Sequence, residues 1–161
     1  MNYNLFKKEV HDLAVEKGWY DKKREMKELV FLVKSELFEA FEEYRKGNFE
    51  TYYEDKKPCG FYVELADISI RALDIAGFYN VDVKTDDYSH HKNSCFIIDW
   101  FDYMDEFMRS YKNLTKSEYV TQILCDIENF CFNKNVDIHK IILEKHRYNK
   151  TRSKRHGGKI C

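Results

Sequence analysis

Two pairs of carboxylates stand at matching intervals in this chain: Glu36 and Glu39 in "SELFEAFEEY", and Glu64 and Asp67 in "GFYVELADISIRALDIAG". A separation of three puts both members of a pair on one face of a helix, about one turn apart. Four converging carboxylates repel one another unless a cation holds them. Oxygen-only donors suit Mg²⁺ or Mn²⁺, which are bound by carboxylates and water and share their shell with substrate phosphates. The four acids form a candidate catalytic metal site.

The second pair sits in unusual company. At roughly 100° per residue, Leu65, Ile68, Ala72 and Ile75 fall on one side of the helix and Val63, Ile70 and Leu73 on nearly the opposite side. Glu64, Asp67, Arg71 and Asp74 form a narrow stripe between them. A helix apolar on two flanks is covered by neighbours, and a carboxylate taken out of water without a partner costs several kcal/mol or more. Positive charge is therefore required beside the stripe. Arg71 is expected to satisfy Glu64 or Asp67 at helical spacing, leaving the remaining acids to other cations. In the preceding helix the core stripe runs through Leu29, Val33, Leu37, Ala40 and Tyr44, with Glu36, Glu39 and Glu43 along its margin. Glu42, Glu43 and Asp74 read as surface or supporting residues.

The elements that must position these acids are helices. Apolar residues recur every three or four positions over roughly 3–17, 24–46, 60–77, 95–112, 116–133 and 137–151, which predicts one all-α bundle of about six helices. Thr115 with Glu118 forms a capping box, and Asp137 is a cap. The stretch "RKGNFETYYEDKKPCG" reads as a break, and no alternating strand pattern persists. One proline and six glycines in 161 residues leave few interruptions. The length suits a single domain, 1–161. A net charge of −1 gives no electrostatic reason to expect nucleic acid or a membrane as partner. The N-terminus carries Lys and Glu through its apolar positions, unlike a signal peptide, and five cysteines without a CxxC pair read as free thiols, so a cytoplasmic protein is expected. A zinc site at His90, His91 and Cys95 lacks an evident fourth ligand. From Lys145 onward the chain holds Lys and Arg but no acid.

The pattern Glu36-x-x-Glu39, a spacer of roughly two dozen residues, then Glu64-x-x-Asp67 resembles the signature of the MazG-like, all-α nucleoside triphosphate pyrophosphohydrolases. The blocks "SELFEAFEEYRKG", "KPCGFYVELADISIRALDIAG" and "KHRYNKTRSKRHGGK" extend the resemblance over most of the chain. The resemblance implies a core of helices at about 3–77 and 137–161, with 83–135 as an additional helical segment. It implies Mg²⁺ (or Mn²⁺) on Glu36, Glu39, Glu64 and Asp67, and hydrolysis of a nucleoside triphosphate to monophosphate and pyrophosphate. It further implies a homodimer or homotetramer. In the matching tail, Lys145, Tyr148, Asn149, Arg152, His156 and Lys159 are the candidate substrate-binding residues, with Trp19 and Tyr20 available to stack on a base or to anchor the first helix. Two departures stand out: Ser35 where some members carry another Glu, and Ser153 where Arg-Pro is common. The competing readings are a non-catalytic helical module whose acids pair with a basic partner or its own tail, a nucleic-acid binder using that tail, and an enzyme acting on another phosphoanhydride.

Overall fold

The computed structural model describes residues 1–85 and 96–158. It is the all-α bundle that the periodicity predicts: among the described residues, α1 (Tyr3–Glu16), α2 (Met26–Lys46), α3 (Phe61–Phe78), α4 (Ile97–Arg109), α5 (Lys116–Asn133) and α6 (Ile138–Thr151), followed by a single turn, α7 (Arg155–Gly158). A short 3₁₀ turn, Ser110–Lys112, extends α4. Among these residues no helix is long and apolar enough to cross a membrane. The candidate zinc ligands His90, His91 and Cys95 lie outside the described residues.

Local chemistry sets the helix ends where the sequence places them. Thr115 and Glu118 form the reciprocal capping box of α5, and the Asp137 side chain accepts from the backbone of Lys140 at the start of α6. Gly47 ends α2 in the left-handed conformation, where a side chain would be strained.

The hub is α3, which packs against α1, α2, α5 and α6. That position explains its two apolar flanks: Val63, Leu65, Ala66, Ile68, Ala72 and Leu73 have no exposed surface. Val10, Leu37, Leu65, Met104, Ile123 and Ile142, one from each long helix, belong to a single core cluster. The described part of the 83–135 segment thus builds core, with α4 lying on α2 and α5 on α3.

One element departs from the sequence reading. Between α2 and α3 the chain forms a two-stranded antiparallel hairpin, β1 (Tyr52–Glu54) and β2 (Lys57–Cys59), with Tyr52 opposite Cys59. Three-residue strands are too short for alternation to register. The turn residues Asp55 and Lys56 both have positive φ without a glycine to announce it.

Gly60 and Gly77 allow close approaches that fix α3. At Gly60, φ is +119°, and a Cβ would lie 2.5 Å from the Glu50 carbonyl oxygen. The chain can therefore turn sharply from the hairpin into α3, with the Phe61 amide donating to Asn48. At Gly77 a Cβ would come within 2.5 Å of the His11 Cβ and 2.8 Å of the Lys7 carbonyl oxygen. Neither neighbour is the flexible end of a side chain, so Gly77→Ala forces α1 away from α3. We expect a loss of about 1–3 kcal/mol, read as a lower urea midpoint with unchanged slope.

Candidate metal centre

The α2–α3 contact brings Glu36, Glu64 and Asp67 together, with one carboxylate oxygen from each within 4.8 Å of the others. Glu36 and Glu64 are buried, and the Asp67 side chain is 16% exposed. Glu39, one turn beyond Glu36, is exposed and outside this convergence. It lines both the pocket that reaches Glu36 and Asp67 and an adjoining groove that reaches Glu64. An Mg²⁺ ion holds oxygens at about 2.1 Å, so neighbouring ligands stand about 3.0 Å apart and opposite ones about 4.2 Å. The three inner carboxylates would have to draw together to serve one such ion, and their all-oxygen donor set fits a hard divalent cation.

Two cations answer the buried acids. Arg71 does not pair along α3, as helical spacing led one to expect. It crosses to α2, placing Nε 3.0 Å from Glu36 Oε1, and its guanidinium lies 5.3 Å from the Trp19 ring centroid. Asp67 instead receives Lys145 from α6, with Nζ to Oδ2 at 2.8 Å. Lys145 is 1% exposed and also donates to the Pro58 carbonyl at 3.3 Å, tying α6 to the hairpin.

Burial dominates the electrostatics of the acids. It pushes Glu64 up to about 8, with the Asp67 charge adding to the rise and Lys145 opposing it. Glu36 is also raised by burial, against the pull of Arg71. For Lys145, burial alone would lower the pKa, but Asp67 and Glu64 together hold it above its ordinary value. The lysine stays charged.

The other predicted substrate residues are spread more widely. Asn149 lies on α6 at the pocket wall, and its buried Oδ1 has no hydrogen-bond partner. Arg152 reaches the same pocket and lies 5.9 Å from the Tyr148 ring centroid, while Tyr148 itself is half-buried beneath it. His156 falls in the α7 turn, and Lys159 lies outside the described residues. The basic tail folds back on the loop after α1: the Arg155 amide donates to the Lys17 carbonyl, and Lys154 pairs with Asp21 at 2.9 Å. Trp19 is buried in the pocket wall.

Sequence reasoning underrated two acids and missed His11 and His146. Asp74 is buried, lying 2.8 Å from His11 Nδ1 and accepting from Tyr20 at 2.8 Å. Glu43, also buried, accepts from Lys46, Asn48 and Tyr52, fastening α2 to the hairpin. His146, one residue after Lys145, is buried at the pocket wall, and its Nδ1 is unpartnered. The Glu64-Asp67-Arg71-Asp74 stripe was the available signal for Asp74. Nothing in the sequence singles out His11, whose partner lies 63 residues away.

No family model matches the chain, and neither curated proteins nor solved structures show a significant similarity to it.

Glu64 gives a pH prediction. Its pKa rises from an ordinary value of 4.5 to about 8 on folding, so the unfolded chain releases the proton first as pH increases. Stability is consequently lost between about pH 4.5 and 8 and not further above that range. In chelator, Glu64→Gln should raise the unfolding temperature at pH 7.5 by on the order of 5 °C and change it little at pH 4, measured by calorimetry.

Proposed function

We propose that the protein is a Mg²⁺-dependent hydrolase of nucleoside triphosphates, releasing monophosphate and pyrophosphate, of the MazG-like kind that its acid spacing resembles. The observation carrying this reading is the convergence of Glu36, Glu64 and Asp67 beside a pocket whose wall holds Glu36, Asp67, Lys145 and Arg71. Acids for a cation and cations for phosphate meet in one cleft.

When bound, Mg²⁺ (or Mn²⁺) would supply charge neutralisation on the phosphates and lower the pKa of water. Glu36, Glu64 and Asp67 hold the ion, with Glu39 completing the set from the rim or accepting a proton from the attacking water. Arg152 and Lys57 line the pocket and offer charge to phosphate oxygens. The apolar side of the same pocket, Val10, Leu13, Trp19 and Ile70, provides a wall against which a nucleoside excludes water. Phe31 and Phe38, exposed two turns apart on α2, support assembly into a homodimer or homotetramer.

A second reading has its own support. The Arg71–Glu36 and Lys145–Asp67 pairs satisfy two acids without any metal, as a non-catalytic module would require.

Product analysis separates the two. Purified protein with Mg²⁺ and a panel of ribo- and deoxynucleoside triphosphates should give monophosphate and pyrophosphate rather than diphosphate and phosphate. Chelator should abolish turnover, and Glu64→Gln should reduce it by about 10²–10⁴-fold while the helical circular dichroism is retained. Absence of turnover across the panel would favour the non-catalytic module.

A further inference from the structure

The two cations that neutralise the acid cluster also face the pocket in which a polyphosphate would lie. Arg71 Nε is committed to Glu36, but its terminal nitrogens have no hydrogen-bond partner among the described residues. Lys145 spends its ammonium on Asp67 and the Pro58 carbonyl. A cation entering alone must compete with both ion pairs, leaving a lysine that is 1% exposed without its counter-charge. Uncompensated buried charge is strongly unfavourable. A polyphosphate entering alone would draw on Arg71 and Lys145 and leave Glu36 and Asp67 facing its own negative charge. Only joint entry gives every group a partner. At the same wall the Asn149 Oδ1 is buried without a hydrogen-bond partner, an acceptor that a cation or a hydroxyl of a ligand, and not a phosphate oxygen, would satisfy.

We propose that Arg71 and Lys145 are exchangeable counter-ions, paired with Glu36 and Asp67 in the ligand-free site and passed to phosphate oxygens when a divalent cation and a polyphosphate bind together. This rests on the proposed function and adds that the site takes the metal–polyphosphate complex in preference to either component. Linkage makes the effect reciprocal: the nucleotide tightens the metal by the same factor as the metal tightens the nucleotide.

The test is Mn²⁺ binding to the full chain, followed by electron paramagnetic resonance. It is measured with and without the non-hydrolysable α,β-methylene analogues of the four common deoxynucleoside triphosphates, correcting for the ion–nucleotide complex formed without protein. At least fivefold tighter Mn²⁺ binding in the presence of the best analogue is expected. In Lys145→Gln, free Mn²⁺ should bind more tightly and the coupling should shrink at least twofold; Arg71→Gln replaces this variant if its melting curve shows it unfolded. Wild-type coupling below fivefold, with Mn²⁺ bound in both conditions, overturns the counter-ion exchange and leaves the proposed function standing. Unchanged coupling in a folded variant overturns it as well. Absence of Mn²⁺ binding in both conditions overturns the exchange and the proposed function together.

Discussion

Holding carboxylates away from water is the constraint around which this bundle is arranged. Glu36 and Glu64 are almost wholly covered, and Asp67 nearly so, in the contact between α2 and the hub helix α3. Each buried carboxylate must find a cation, keep its proton or lose several kcal/mol. All the available compensations are in use. Arg71 crosses between helices, Lys145 arrives from α6, and burial pushes the Glu64 carboxyl well above the ordinary carboxylate range. Core packing alone would be served better by apolar residues at these positions. Keeping acids there means that the stability of α3 is shared with the chemistry of its polar stripe.

The peripheral elements follow from that arrangement. The hairpin connects the two acid-bearing helices, and Glu43 and Lys145 each anchor one of its strands. Gly60 permits the abrupt entry into α3 that sets the rotation of the helix, and with it the direction of Glu64 and Asp67. On the other side, Gly77 lets α1 come close enough for His11 to reach Asp74. Asp74 in turn holds Tyr20, next to the Trp19 indole under Arg71.

Much of this was readable from residue types at fixed spacing. Period 3.6 placed all six helices to within a few residues, because each buries one stripe or more against a common core. Thr115, Glu118 and Asp137 marked helix starts through capping interactions that are local in sequence. The acid stripe on α3 was legible because carboxylates interrupt residues that must be buried. What escaped depends on distant partners. The choice by Arg71 of Glu36 over a neighbour on its own helix, the pairing of Lys145 with Asp67, and the His11–Asp74 contact are all settled by how helices cross. The hairpin escaped because its strands are shorter than the period that reveals strands, and its turn lacks glycine.

The separation between Asp67 and its lysine also bears on how the molecule comes to be folded. In a chain emerging from its N-terminus, α2, the hairpin and α3 are complete long before residue 145 exists, and the Lys145 contact to Pro58 spans 87 positions. Until α6 docks, Asp67 lacks its cation and α3 lacks one of its walls. The first half of the chain therefore lacks part of its final packing, and the charge that answers Asp67, until the closing helix arrives.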